Sequence, residues 1–312
     1  MKQKYLIGDI SGTNSTLAIF DISEKNEISF KKNYKTSEYE NIEDMVKDFI
    51  ENTKAQGVTK CVLCIAGNVD GNRIKMTNNL LNINKNDLKK EFLFEKIIFI
   101  NDFQALAYSI DKLNKTQLKI INKGKQTNNK TKIILGAGTG FGKATLIYQE
   151  NNNKYLIKKS EGGHDDFPPH DKNEFLLSEF IKKKYNKHNV EEEDLISGRG
   201  IENIYEFLTS KKLSAQEISQ RKKIDINAKN TMKYFFRFYA RAAKNYALNE
   251  LSVGGVYIGG GIITKNYNFS KKQFLEEFTK NDTYSLMLRQ VPIYIIKDYN
   301  ASLIGIIEYI KK

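Results

Sequence analysis

The stretch Gly8-Asp9-Ile10-Ser11-Gly12-Thr13-Asn14 follows one apolar run, Tyr5-Leu6-Ile7, and precedes another, Leu17-Ala18-Ile19-Phe20. It reads as strand, Gly/Thr turn, strand. The arrangement returns in altered form: Ile133-Ile134-Leu135 leads into Gly136-Ala137-Gly138-Thr139-Gly140-Phe141-Gly142, and Ala144-Thr145-Leu146-Ile147 leaves. Two such units predict two α/β domains of like topology facing one cleft. Each turn offers backbone N–H groups and small hydroxyls, which suit phosphate oxygens. Asp9 adds a carboxylate where a Mg²⁺ ion would sit. Together they read as an ATP-phosphate clamp; either turn alone is equally an ordinary Gly-rich hairpin turn.

Two familiar phosphate motifs are excluded. A P-loop needs a Lys followed by Ser or Thr, and here Gly142-Lys143 runs into Ala144, with Ala137 where the first Gly belongs. A dinucleotide fingerprint starting at Gly136 would need Gly where Phe141 stands.

Composition narrows the class. The chain has 312 residues, 40% apolar and 28% charged, which describes a soluble globular protein of one or two domains. No apolar run approaches the roughly 20 residues of a membrane span. Met1 enters a strand almost at once without a signal-peptide pattern, so the cytoplasm is the expected compartment and no membrane partner is expected. The net charge is +13, but the lysines are dispersed among Asn and Ile, with no Arg-rich stripe, so no nucleic-acid partner is expected either. Cys61 and Cys64 are the only cysteines. They lie in Cys61-Val62-Leu63-Cys64-Ile65-Ala66, which reads as a buried strand, and residues three apart on a strand face opposite ways. They read as structural, not as a redox pair or zinc site.

Strands are expected at 5–10, 16–22, 27–34, 60–66 and 96–100, with a helix over 41–54 whose Ile42, Met45, Val46, Phe49 and Ile50 share one face. The second half restarts with strands at 132–135, 143–148 and 154–160. A long helix over 227–251 carries Met232, Phe235, Phe236, Tyr239, Ala242, Ala243 and Tyr246 as a core stripe. A strand at 256–258 runs into Gly259-Gly260-Gly261; 293–296 is the last strand and 301–310 a closing helix. The polar stretch 116–130 reads as a surface loop.

Three further segments carry chemistry. Asn101-Asp102 ends the strand Ile97–Ile100, where α/β folds place ligands. An Asp there is either a ligand-facing carboxylate or a helix N-cap, and Asn101 beside it offers a donor and an acceptor to a polyhydroxylated ligand. Glu161-Gly162-Gly163-His164 follows the third strand of the second half, where a Glu and a His flanking two glycines can both turn into a cleft. Glu192-Glu193-Asp194, taken alone, reads as a solvated charge run. Carboxylates, a His and an Asn together would make a pocket for a neutral polyol.

With these residues in hand, the chain resembles the bacterial glucokinase family of the hexokinase and actin-like ATPase superfamily. GDISGTNSTLAIFD is similar to its first phosphate motif, INDFQALAYSI to its catalytic segment, LGAGTGFGKATLI to its second phosphate motif and SEGGHDDFPP to its sugar loop. EEEDLISGRGIENIYEFL and GGVYIGGGI resemble its later sugar and adenosine stretches. The zinc loop of the related ROK kinases and the DNA-binding extension of ROK repressors have no counterpart, so the resemblance is to the non-ROK type.

The resemblance implies two ribonuclease-H-like domains around a central cleft, one of residues 1–103 with 298–312 and one of 104–297. It implies transfer of the ATP γ-phosphoryl to the 6-hydroxyl of glucose, with domain closure excluding water. Asp102 would be the general base. Asn101, Glu161, His164 and Glu193 would bind sugar; Asp9 would hold Mg²⁺ through water. Gly12, Thr13, Gly138 and Thr139 would hold phosphates, and Gly260 and Gly261 would flank the adenosine. A homodimer is compatible with it. The alternatives are a kinase for another hexose or an N-acetylhexosamine, and a non-catalytic sugar sensor on the same fold. Ser11 stands where the family has Gly, Arg199 where it has Pro, and the family's Trp after Met76-Thr77-Asn78 is missing.

Overall fold

The computed structural model describes residues 3–22, 27–53, 57–67, 69, 71–76, 81–298 and 300–312. Residues 77 and 78, where the missing Trp was noted, lie outside them. Two compact units emerge: Met1–Leu113 with Asp298–Lys312, and Asn114–Lys297.

In the first unit, β1 (Lys4–Ile10), β2 (Asn14–Asp21), β3 (Glu27–Lys35), β4 (Val58–Ile65) and β7 (Lys96–Asn101) form a sheet in the order β3-β2-β1-β4-β7. The first three strands pair antiparallel; β1, β4 and β7 run parallel. This is the ribonuclease-H-like order expected from the sequence. Helices cover both faces, as buried parallel strands require. α1 (Ile42–Thr53) packs on one face, with a short hairpin, β5 (Arg73–Lys75) and β6 (Asn82–Asn84), and α2 (Lys85–Phe92). α3 (Asp102–Ser109) and the C-terminal helix (Ala301–Ile310) cover the other. The period of two is visible along β4: Cys61, Leu63 and Ile65 join one core, Val62 and Cys64 the other. The cysteines are buried and unbridged on opposite faces. Gly305 lets the C-terminal helix approach α3, since a Cβ there would meet the Ala105 carbonyl oxygen at 1.7 Å.

The second unit repeats the plan. β8 (Leu118–Asn122), β9 (Lys132–Ala137), β10 (Phe141–Gln149), β11 (Lys154–Ser160), β12 (Gly255–Gly259) and β13 (Ile293–Ile296) are ordered β11-β10-β9-β12-β13-β8. β9, β12 and β13 are parallel, and the outer pairs antiparallel. α4 (Lys172–Tyr185), α5 (Gly198–Thr209), α6 (Ala215–Arg221), α7 (Ile226–Asn249), α8 (Gly261–Phe278) and α9 (Ser285–Gln290) complete it. The α7 stripe enters the core as expected, with Met232, Phe235, Phe236 and Tyr239 fully buried.

The stretch 116–130 departs from its reading as a loop, because β8 lies inside it. Only Ile121 of that strand is buried. Backbone pairing with β13 makes the strand, reinforced by Asn122 Nδ2, which donates to the Arg289 and Val291 carbonyls at 2.9 and 2.7 Å.

Candidate active site

Asp9 is the penultimate residue of β1, opposite Thr16 of β2 and Cys64 of β4. Its carboxylate accepts hydrogen bonds from the Ser302 hydroxyl and the Cys64 thiol. Burial pushes its pKa up, and those two bonds pull it down. Ser302 belongs to the C-terminal helix, so the last segment of the chain helps position a residue of the first strand. The turn after Asp9 holds Gly12 and Thr13. It is tied down by Thr36, whose N–H donates to the Thr13 carbonyl at 3.1 Å and whose hydroxyl donates to the Ser11 carbonyl at 2.7 Å. Ser11 is not among the positive-φ residues, so serine is accommodated where the family has glycine; its hydroxyl donates to the Asn14 carbonyl at 2.5 Å.

Asn101 and Asp102 sit at the β7–α3 junction, and the structure divides their roles. Asn101 is the N-cap: its Oδ1 accepts from the N–H groups of Phe103 at 2.9 Å and Gln104 at 3.2 Å. Its Nδ2 donates to the Gly67 carbonyl at 3.2 Å. Asp102 is the first helical residue, half-buried, where the helix dipole favours a carboxylate. The N-cap position thus belongs to Asn101, much of whose amide is occupied within the fold, while Asp102 Oδ1 shares the Phe103 N–H at 2.9 Å.

In the second unit, Gly138 and Thr139 form the turn between β9 and β10. Gly138 N–H donates to the Gly140 carbonyl and its own carbonyl accepts from Gly198 N–H, both at 2.8 Å. A Cβ on Gly138 would meet nothing within 4 Å, so this backbone borders open space. Gly260 lies alongside. It precedes α8 with φ of 96°, and a Cβ there would come within 2.4 Å of the Ala137 carbonyl oxygen, so only glycine fits. Parallel pairing of Gly259 with Gly136 brings the turn and the start of α8 together. A helix N-terminus beside a glycine turn suits phosphate oxygens.

Glu161, His164 and Glu193 also converge. Glu161 precedes a 3₁₀ turn, Gly162–His164. Gly163 abuts the end of the β9–β10 glycine turn; its Cβ would lie 1.7 Å from the Phe141 carbonyl oxygen. Glu193 is buried, and its Oε2 accepts from Phe141 N–H at 2.8 Å. His164 Nδ1 is 3.1 Å from Glu191 Oε2. Burial opposes charge on His164, but that bond and the nearby charges of Glu193, Glu191 and Glu161 outweigh it and lift its pKa.

The reading of 192–194 as a solvated run does not survive. Glu192, Glu193 and Asp194 form a buried 3₁₀ turn, exposed by 4%, 5% and 0%. Asp194 accepts from Lys187 at 2.7 Å and Arg199 at 3.1 Å, and Arg199 also lies 3.7 Å from Glu193. The arginine in place of the family's proline thus anchors the segment that bears Glu193. Sequence reasoning missed Ser302, Glu191, Glu192 and Tyr246. None carries a local signal, because each is recruited by a residue far along the chain or by burial.

Among the described residues, no cluster of three or more His, Cys, Asp or Glu side chains could hold a metal ion. Asp9 would hold a Mg²⁺ ion with few protein ligands, the sparse coordination that is usual where substrate phosphates and water complete the shell.

The geometry has counterparts. The glucokinase family profile matches residues 6–312. A glucokinase of a Nostoc species is 32% identical over 332 aligned positions, covering 96% of each chain. A crystal structure of glucokinase from an Antarctic psychrotroph superposes with a TM-score of 0.81 at 26% identity, covering 99% of both chains. A glucokinase of Balamuthia mandrillaris, solved in complex with glucose, gives a TM-score of 0.86 at 22% identity over 100% of this chain and 94% of that one. The chain belongs to the glucokinase family.

Proposed function

We propose that this protein phosphorylates glucose on its 6-hydroxyl, with ATP as donor, in the cytoplasm. It is a hexose kinase of the non-ROK type within the hexokinase and actin-like superfamily, its two units being the small and large domains. The observation that carries the reading is the convergence of Glu161, His164 and Glu193 on the end of the second glycine turn. Carboxylates, an imidazole and a phosphate-accepting turn are the groups that a sugar phosphotransferase needs near one another.

Asp102 takes the proton of the attacking 6-hydroxyl as its oxygen bonds to the γ-phosphorus and the bond from that phosphorus to the bridging oxygen breaks, ADP leaving with the electron pair. The helix cap made by Asn101 fixes the backbone from which Asp102 projects. Glu161, His164 and Glu193 bind sugar hydroxyls and orient the acceptor. Gly12, Thr13 and Thr139 receive phosphate oxygens through backbone N–H groups and hydroxyls, Gly138, whose N–H is bound to the Gly140 carbonyl, leaves them room, and Gly260 and Gly261 border the adenosine. Asp9, set by Ser302 and Cys64, would hold Mg²⁺ through water, and that ion would neutralise charge on the phosphates.

A coupled assay with Mg·ATP and a panel of glucose, mannose, fructose and N-acetylhexosamines tests the reading. Glucose should give the highest kcat/KM. Sugar binding without turnover would mean a sensor, and a higher kcat/KM for another sugar would reassign the substrate.

A further inference from the structure

Behind the sugar turn lies a buried polar pair that the mechanism above does not use. Tyr246, on α7, and Glu192 are 3% and 4% exposed. The Tyr246 hydroxyl oxygen is in hydrogen-bond contact with the Gly162 carbonyl oxygen, and it is 2.5 Å from Glu192 Oε2. Gly162 lies between Glu161 and His164, so this contact fixes the middle of the turn.

The contacts can be counted in protons. A tyrosine hydroxyl carries one hydrogen, while a carbonyl and an ionised carboxylate are both acceptors only. With Glu192 ionised, one of the two short contacts would set oxygen lone pairs against each other without a hydrogen. With Glu192 protonated, its carboxyl donates to Tyr246, and Tyr246 donates to Gly162. Both contacts are then satisfied.

The surroundings agree. Burial is the largest influence on Glu192 and pushes its carboxyl up to about 7; the Asp165 charge adds to this, while the Tyr246 bond and the Lys143 charge oppose it. Among the described residues, Lys143 is the cation that faces the pair, and its ammonium is shared with Asp165. Its Nζ lies 3.3 Å from the centroid of the Tyr246 ring and donates to Asp165 Oδ2 at 3.1 Å.

We propose that Glu192 is protonated in the folded protein and, through Tyr246, is a positioning residue that holds Glu161-Gly162-Gly163-His164 in its sugar-receiving shape, so that losing this proton weakens sugar binding. The inference rests on the reading of that turn as the sugar site.

Two measurements on the full-length protein test it. Infrared difference spectra of sugar-free wild type against E192Q should show a protonated carboxyl C=O band at about pH 6 that is lost by about pH 9. Absence of that band at about pH 6 overturns the proposal whatever the sugar data show. Glucose calorimetry then reads the coupling. Wild-type affinity should fall across the same interval, whereas E192Q, whose amide donates to Tyr246 at every pH, should fall only by the share that His164 takes from both proteins. His164 titrates in both proteins, so the difference belongs to Glu192. Y246F should weaken glucose binding roughly tenfold with the KM for ATP unchanged. Parallel pH profiles in wild type and E192Q, or an unaltered affinity in Y246F, would overturn the proposal. A wild type that binds no hexose refutes the kinase reading, and the infrared arm still decides the proton.

Discussion

Gly163→Ala puts one methyl group where the fold has no room. The added Cβ would stand 1.7 Å from the Phe141 carbonyl oxygen and 2.7 Å from its carbon, both backbone atoms that cannot swing aside. Favourable carbon contacts lie at roughly 3.5–4.0 Å, so the turn must retreat by about 1.8–2.3 Å. That retreat moves Glu161 and His164 away from Glu193, which is held at Phe141. A misplacement of about 1 Å can cost about 100-fold, and each charge-assisted bond lost costs about 1.5–3 kcal/mol. Calorimetry with glucose should therefore show affinity reduced by about 100-fold or more, with ATP binding close to wild type. Gly138→Ala is the reciprocal control. Its Cβ meets nothing within 4 Å, so the fold is undisturbed, but the methyl occupies the space assigned to phosphate. It should raise the KM for ATP and leave glucose affinity intact. Unchanged glucose affinity in Gly163→Ala, with its melting temperature preserved, would refute this account of the turn.

Other outcomes follow from buried charge. Glu192, held at about 7 against an ordinary 4.5, makes the folded state bind a proton more tightly than the unfolded state. The associated stability is complete below about 4.5, declines as pH rises, and is gone above about 7, a change of roughly 3 kcal/mol. Urea unfolding of wild type and E192Q should diverge by that order across the interval; parallel curves would contradict the sign. Arg241, 3% exposed, makes paired bonds of 2.7 and 3.0 Å to Glu174, which is 0% exposed. Arg241→Met leaves Glu174 held by Arg237 at 2.7 Å and by the His170 N–H at 2.8 Å, and should cost at most about 3 kcal/mol of stability by denaturant titration. Ser302→Ala removes a donor from Asp9 and should raise the Mg·ATP requirement without altering glucose affinity, as kinetics at varied Mg²⁺ would read.

The fold was legible where pattern and burial coincide. The two strand-turn-strand units, the parallel strands after them and the α7 stripe all show the period that their packing demands. β8 was hidden because an edge strand held by backbone bonds needs no apolar pattern, and Leu118–Asn122 buries only Ile121. The roles at 101–102 could not be divided from sequence, since Asn and Asp cap equally well; only the bonds to Phe103 and Gln104 decide for Asn101. Glu192 and Asp194 read as solvated because local composition cannot show Tyr246, Lys187 or Arg199 closing over them.

The central claim is that Asp102 takes the proton from the sugar hydroxyl. Because Asn101 caps α3, substitution at Asp102 leaves the cap in place; it forfeits a favourable dipole contact of about 0.3–1 kcal/mol and, in the alanine variant, a bond from the Phe103 N–H that Asn101 Oδ1 also accepts. Asp102→Asn and Asp102→Ala should both fold, melt near the wild-type temperature and bind ATP. The decisive quantity is kcat for glucose phosphorylation in both variants. Loss of the general base should lower it by about 10²–10⁴-fold in each. Retention of more than about a tenth of kcat in Asp102→Asn would contradict the claim.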